Sequence, residues 1–276
     1  MKKATFCLSL DTELLWGRWD INYQDFETRA AKVRDIVKRL LTIFDKYNIH
    51  ATWAIVGSLY LQPSPKNRES KLWRAPDIIQ EIKRHKNQEI ACHSFSHREF
   101  TQLTREKAES DILHCLALAK KEQIKLASFV FPRNKVNHLN LLKKAGFTCY
   151  RTSNKYQSPF LQLIDLLFPL PNTAKPTPNQ GLVAIPGSFY FLSCRGPRKY
   201  LPLYYRVRRA KLGINHAIKN GTLFHLWFHP IDLADNTENM LHGIEEICLY
   251  ASQKEKEGKI QTQTMSQIAS RTSPTR

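Results

Sequence analysis

The sequence predicts an α/β fold in which about seven parallel strands form an incomplete or distorted (β/α) barrel. Short apolar segments alternate with longer amphipathic segments along most of the chain, which is typical of parallel strands joined by right-handed helical crossovers. Residues 222–228 form a largely apolar run, as expected of a strand that is buried on both faces. In such barrels the side chains that perform chemistry lie at the carboxyl ends of the strands.

The spacing of apolar residues and the positions of proline and glycine predict the individual helices and strands. Residues 28–47 repeat apolar side chains at helical spacing, Pro76 suits the first turn of a helix, and Gly146 ends a helix. The predicted strands cover residues 5–10, 51–56, 89–92, 126–131, 147–151 and 222–228. The predicted helices cover residues 28–47, a segment from 76, and 105–123, 139–145 and 240–256. Residues 160–178 contain four prolines and are predicted to form an extended loop.

Length and composition favour an ordinary globular protein. The 276 residues are expected to form one domain over residues 1–269, followed by a frayed polar tail over 270–276. The six cysteines include no CxxC pair, so buried free thiols are expected. No apolar run reaches the length of a membrane span, and the first apolar segment resembles a strand more than a signal peptide. These features predict a cytoplasmic protein and leave its oligomeric state open.

The positive charge is concentrated in one part of the chain. The formal net charge is +18, and residues 123–231 hold sixteen Lys and Arg but only one acidic residue, Asp165. Within this part, the segment from Arg195 to Lys219 interleaves basic and aromatic side chains. The segment is either a solvated basic face that packs on the barrel or a surface that contacts an anionic membrane. A soluble phosphorylated substrate is a third explanation, and the absence of a nucleic-acid motif argues against DNA or RNA.

Two carboxylates follow the first predicted strand. Asp11 and Glu13 are spaced i, i+2, so both side chains point to the same side of an extended segment. Carboxylates this close repel each other unless a cation or a shared proton relieves the repulsion. Taken alone, the pair predicts either a cation site or plain loop residues.

Two histidines follow the third predicted strand. His93 and His97 can converge on one divalent cation if their segment is tightly turned, although this spacing also fits hydrogen-bonded loop histidines. Both pairs lie at carboxyl ends of parallel strands, so we expect them to share one mouth of the barrel. One carboxylate and two histidines would leave metal positions open for water and substrate.

Three further polar residues are candidates for the same mouth. His229 follows the late apolar strand and could act as a general acid, whereas His225 lies inside that strand and is expected to be packed and hydrogen-bonded. Arg133 follows the fourth predicted strand and could orient a carboxylate, bind the substrate, or be a solvated loop residue.

With these residues in place, the sequence resembles the polysaccharide deacetylase family, which shares the NodB homology domain. The resemblance extends from about residue 5 to 265. Two departures stand out: Thr12 replaces the adjacent second aspartate, which suggests the Asp-x-Asp/Glu variant of some cytoplasmic branches, and Val130 occupies the usual arginine position of the third motif. The motifs are the strand ending in Asp11 and Glu13 (FCLSLDTE, residues 6–13), His-Ser-x-x-His at residues 93–97, and the strand ending in His229 (LWFH, residues 226–229).

The resemblance implies a role for each candidate. Asp11 is the general base, His229 the general acid, and Arg133 a candidate for the missing arginine. A divalent cation, zinc or another first-row metal, is expected on Glu13, His93 and His97. The expected substrate contacts are Trp16, Pro132, Asn134, Leu226, Trp227 and Phe228.

The implied reaction is removal of an N-acyl group, typically N-acetyl, from an amino sugar. The sugar would belong to a polysaccharide or to its lipid- or nucleotide-linked precursor. Two alternatives stay open: a carbohydrate-binding protein on the same fold that has lost its chemistry, and an amidohydrolase of a non-sugar C–N bond. The altered first and third motifs favour the carbohydrate-binding protein. The presence of a plausible residue for every catalytic role argues against it.

Overall fold

The computed structural model describes residues 3–62, 71–153, 159–168 and 172–272. Its strands are β1 (Ala4–Thr12), β2 (Ala51–Ile55), β3 (Gln88–Cys92), β4 (Ser128–Val130), β5 (Cys149–Thr152), β6 (Thr177–Asn179), β7 (Leu182–Pro186), β8 (Phe189–Tyr190), β9 (Leu223–Phe228) and β10 (Ile260–Thr262). Its α-helices are α1 (Glu27–Tyr47), α2 (Pro76–Arg84), α3 (Arg105–Lys121), α4 (Leu139–Lys144), α5 (Pro159–Leu167), α6 (Leu203–Asn220), α7 (Thr237–Lys256) and α8 (Met265–Thr272).

The described strands form one sheet that closes on itself through a single chain segment. Their order is β6-β7-β5-β4-β3-β2-β1-β9-β8, with β10 beside β1, and every pairing except β6–β7 is parallel. The segment that contains β7 and β8 pairs first with β5 and then with β9, and between them the Ser188 amide donates to the His225 carbonyl. If the segment with β7 and β8 is counted as one strand, seven parallel strands surround the interior. The predicted distorted barrel is therefore confirmed.

Side chains alternate between the barrel interior and the helical layer. On β9, Phe224, Leu226 and Phe228 pack with the helices in the main hydrophobic core. His225 instead points inward and its Nε2 lies 2.8 Å from the Ser9 hydroxyl. The lower interior is filled by small or aliphatic side chains, and α8 closes it from below: Cys7, Ala54, Ala91, Val130, Cys149, Val183, Ile185, Leu223, Met265, Ile268 and Ala269.

The second half differs from the prediction. Residues 160–178 were predicted as a loop, but α5 occupies the start of this stretch because its four prolines, from Pro169 on, all follow the helix. Helix α6 was not predicted because its apolar stripe is interrupted by Arg206 and Arg209, which are nevertheless completely buried. Helix α8 continues to Thr272, so the predicted polar tail begins later than residue 270; residues 273–276 lie outside the described ranges.

Two further expectations from the sequence concern the state of the cysteines and the presence of membrane-spanning segments. All six cysteines are free, and five of them are buried, as expected; Cys194 is partly exposed. Within the described ranges, no helix combines the length and apolar character that a membrane span requires. The cytoplasmic location stays a prediction.

Candidate active site

A cavity of about 230 Å³ opens at the carboxyl ends of the strands. The first strand contributes two carboxylates, the loop after β3 two imidazoles, and the end of β9 a third imidazole. The structure therefore brings together the five residues that strand-end reasoning singled out. They are Asp11, Glu13, His93, His97 and His229.

Three of these residues form a candidate metal centre. Oε2 of Glu13 lies 2.9 Å from Nε2 of His97 and 3.4 Å from Nε2 of His93, and the three ligand atoms lie within 4.8 Å of one another. Both Oε2 of Glu13 and Nε2 of His93 are buried without a hydrogen-bonding partner. Nδ1 of His93 lies 2.7 Å from the Val130 carbonyl, to which it can only donate, so Nε2 keeps its lone pair. Buried atoms that lack partners and carry lone pairs fit a divalent cation.

A strained loop makes the two histidines converge. Ser94 and His97 adopt left-handed backbone conformations, with φ of 59° and 53°. The Ser94 hydroxyl accepts from the His97 amide at 2.9 Å, and the Asp111 carboxylate on α3 accepts from the Phe95 amide at 2.7 Å. Asp111 was not singled out in the sequence because an acid in a helix ordinarily faces solvent.

Asp11 is held by a buried arginine. Nη1 and Nη2 of Arg151, at the end of β5, each lie 2.6 Å from one Asp11 carboxylate oxygen, and both side chains are almost fully buried. The guanidinium also lies 4.2 Å from the centre of the Trp227 ring. Burial alone would raise the pKa of Asp11, but Arg151, with His93 and His229, lowers it below the usual range. Asp11 is therefore ionised and fixed in orientation.

His229 lies between carboxylates. Its Nε2 is 3.8 Å from Oδ2 of Asp11 and 3.7 Å from Oε1 of Glu13, and its Nδ1 is 2.8 Å from Oδ2 of Asp232. The Tyr190 hydroxyl donates to the same Asp232 oxygen at 2.6 Å. Burial alone would lower the pKa of His229, but Glu13, Asp232 and Asp11 raise it to about 10. A protonated imidazole is thus aimed into the cavity.

Comparison with known proteins agrees with this geometry. The family model described as polysaccharide deacetylase matches residues 19–150, a stretch that contains His93 and His97. Over this stretch, which is just under half of the chain, the sequence is similar to the polysaccharide deacetylase family. At this level, the prediction of a deacetylase-type hydrolase is confirmed. No curated protein sequence matches the chain.

Solved structures show the fold over nearly the whole length of the chain. A protein named as a polysaccharide deacetylase from Mycobacterium smegmatis matches with a TM-score of 0.67 and 16% identity, covering 99% of this chain and 95% of that one. One so named from Pseudomonas aeruginosa PAO1 matches with a TM-score of 0.69 and 12% identity, covering 99% and 92%. The PuuE allantoinase matches with a TM-score of 0.68 and 12% identity, covering 96% and 89%.

Relative to the family pattern, the arginine beside Asp11 comes from an unexpected strand. Arg133, the sequence candidate, instead donates to Asp20 at 2.6 Å and to Glu99 at 2.9 Å and is about one-third exposed. It lines the cavity rim and ties together the loops after β1, β3 and β4. The contact with Asp11 belongs to Arg151, which the sequence analysis did not single out.

The cavity includes only some of the predicted substrate contacts. Trp227 and Asn134 line it, and Asn134 also accepts from Arg151 at 3.2 Å. Strand alternation turns Leu226 and Phe228 into the helical core, so neither forms the predicted apolar wall. The other two predicted contacts, Trp16 and Pro132, do not line the cavity either; Trp16 donates to the Trp73 carbonyl. Tyr190, stacked on Trp227 with ring centres 4.5 Å apart, completes the wall and was not predicted.

His225 behaves as its position inside a strand suggested. It is completely buried, and its Nδ1 lies 3.2 Å from the Pro186 carbonyl. Burial, helped by the positive charge of Arg151, lowers its pKa to about 3. His225 is therefore a neutral packing residue below the cavity.

Because Gly17 has no side chain, the Glu13 carboxylate can lie directly beside its backbone. A Cβ atom at position 17 would lie 1.8 Å from Oε1 of Glu13. We expect Gly17→Ala to displace Glu13 and weaken metal binding by roughly 10- to 100-fold, the usual effect of disturbing the groups that orient a metal ligand. Titration of the metal-free protein with Zn²⁺ or Co²⁺ measures this change.

Gly196→Ala is the matched control for Gly17→Ala. A Cβ at position 196 meets no atom within 4 Å, but the backbone is left-handed there, with φ of 57°. This control should cost stability without changing metal affinity. Equal metal affinity in the Gly17→Ala variant and the unaltered protein would contradict the proposed role of Gly17.

Proposed function

We propose that this chain is a metal-dependent hydrolase that removes an N-acyl group, in the first instance N-acetyl, from an amino sugar. The substrate would be a polysaccharide or its lipid- or nucleotide-linked precursor. One observation carries the proposal: a cation-binding triad, an arginine-held carboxylate and a carboxylate-paired imidazole share one cavity. The match of residues 19–150 to the polysaccharide deacetylase family model supports the reaction class.

The cation would be held by Glu13, His93 and His97. When bound, it would polarise the acyl carbonyl and lower the pKa of a water molecule. Nitrogen and carboxylate ligands suit zinc and several other first-row metals, so the ligand set does not select one metal. Zinc stays the prediction.

Asp11 would accept the proton of the attacking water. Its ionised state suits a base, and both of its oxygens are bound by Arg151 at 2.6 Å, so the carboxylate cannot turn away. Arg151 is a positioning residue, since it acts through Asp11. A positioned base contributes typically about 10²–10⁴-fold to a rate.

His229 would donate a proton to the leaving amine. Asp232 accepts from Nδ1, which leaves the Nε2 proton facing the cavity. Trp227 and Tyr190 stand beside this position and would contact the sugar or its acyl group. Hydrolysis of any amide needs a base for the water and an acid for the leaving amine. These two groups therefore do not identify the substrate, which depends on the rest of the cavity.

Metal content tests the triad directly. Protein purified without chelators is expected to contain about one divalent metal per chain, whereas the variant with Glu13, His93 and His97 all changed to alanine should contain none. Elemental analysis gives the stoichiometry. His229→Ala is the matched control and should keep its metal, since His229 is not among the three ligands. A triple variant with full metal content would overturn the assignment.

Acetate release tests the reaction. The metal-bound protein is incubated with N-acetylated oligosaccharides, with nucleotide-linked N-acetyl sugars and, separately, with allantoin as a non-sugar amide. Acetate and free amine from either sugar, absent with the triple variant, support the proposal. Ring opening of allantoin alone would favour the non-sugar amidohydrolase, and binding of sugars without turnover would favour the carbohydrate-binding protein.

A further inference from the structure

Exposed apolar side chains concentrate on one side of the barrel. Five of the nine large apolar side chains that are exposed in the described ranges belong to α5, to the residue after it, to the turn before α6, or to the start of α6. Tyr200 is 79% exposed, Phe168 73% and Tyr204 65%. We call the set the apolar patch: Leu161, Ile164, Phe168, Tyr200 and Tyr204.

The two parts of the patch are held side by side. Nε of Arg209 on α6 donates to Oδ2 of Asp165 on α5 at 2.8 Å, and both side chains are buried. Ile164 on α5 and Phe168 just after it face solvent. The two helices therefore pack against each other, and each exposes apolar side chains to solvent.

The part of the patch that contains Tyr200 and Tyr204 adjoins the mouth of the barrel. Helix α6 leads into β9, which ends at the cavity, so α6 begins at the level of the mouth and runs away from it. Just before α6, the guanidinium of Arg195 lies 4.4 Å from the centre of the Phe26 ring, and Phe26 lines the cavity. Tyr200 and Tyr204 thus stand near the rim.

Four cations in or just before α6 have no carboxylate partner among the described residues: Arg195, Arg198, Lys199 and Arg208. Other basic residues of the predicted 195–219 segment do not contribute. Arg206 and Arg209 are completely buried, Lys211 pairs with Glu246 at 2.9 Å, and Lys219 lies at the far end of α6. The basic surface is therefore confined to the mouth end of the segment.

We propose that the apolar patch and these four cations dock the protein side-on on an anionic lipid bilayer, with α5 and the start of α6 against the membrane. The cations attract acidic headgroups, tyrosines suit the headgroup level, and Leu161, Ile164 and Phe168 reach the start of the acyl chains. Exposed aliphatic side chains on a helix distinguish this surface from one that binds only soluble phosphates. The inference does not rest on the proposed hydrolysis, because docking needs no substrate.

Vesicle sedimentation tests the docking. We expect the full chain to bind phosphatidylglycerol–phosphatidylcholine vesicles, more strongly as the anionic fraction rises and more weakly as salt rises. Each Lys or Arg near an anionic surface contributes roughly fivefold. The variant Arg198→Gln/Lys199→Gln/Arg208→Gln should therefore bind about 100-fold more weakly. Ile164→Ser/Phe168→Ser should lose about tenfold or more.

Matched controls remove the same groups elsewhere. Lys107→Gln/Lys120→Gln/Lys121→Gln changes the charge equally on the exposed face of α3, and Leu113→Ser/Leu249→Ser removes two other exposed leucines. Both controls should bind within about twofold of the unaltered protein. Absence of binding at low salt, or equal losses in the patch and control variants, would overturn the proposal. If the protein binds no vesicles but inorganic phosphate inhibits its release of acetate, the cations would instead serve a soluble phosphorylated ligand.

Discussion

Asp11→Asn is expected to lower kcat by about 10²–10⁴-fold, because a carboxamide cannot accept the proton of the attacking water. Metal content should stay near one per chain, since Asp11 is not among the three atoms that converge on the candidate cation position. Initial rates of acetate release, measured with metal-saturated protein, give the effect. Elemental analysis of the same samples separates loss of the base from loss of the metal.

Two controls make the Asp11 experiment decisive. Asp20→Asn removes a carboxylate from the rim, where it pairs with Arg133, and should change kcat little. Glu13→Gln should lose metal and activity together. If Asp11→Asn loses the metal while Glu13→Gln keeps it, the two acids have the reverse of the roles proposed here.

Arg151→Met is expected to lower the free energy of unfolding by about 3–5 kcal/mol, since it leaves the Asp11 carboxylate buried without its charged partner. The Arg151–Asp11 pair is at most a few per cent exposed on either side. Urea unfolding monitored by tryptophan fluorescence measures the change. Activity should fall as well, because Asp11 is no longer held.

Arg133→Met is the matched control, because its Asp20 and Glu99 partners lie at the rim. The Arg133–Asp20 pair is about one-third exposed, so its loss should cost at most about 1 kcal/mol. The double variant Asp11→Asn/Arg151→Met should be less destabilised than the sum of the single variants, as residues in direct contact are non-additive. Equal effects of Arg151→Met and Arg133→Met would contradict the distinction between the two arginines.

The sequence determined the barrel and most of its mouth by itself. Alternating apolar and amphipathic segments report parallel strands and crossover helices through local periodicity. Because carboxyl ends of parallel strands share one edge, Asp11, Glu13, His93, His97 and His229 could be placed in one cavity before any coordinates were known. These inferences needed only spacing along the chain and a rule about strand ends.

Tertiary structure alone decided which side chains support those five. Arg151 reaches Asp11 from β5, and Asp111 holds the histidine loop from α3. Charged residues of this kind look like surface residues in a sequence, because nothing local shows that a partner will neutralise them in the interior. The same limit applies to the basic segment, where the complete burial of Arg206 and the partial burial of Arg208 depend on what α6 packs against.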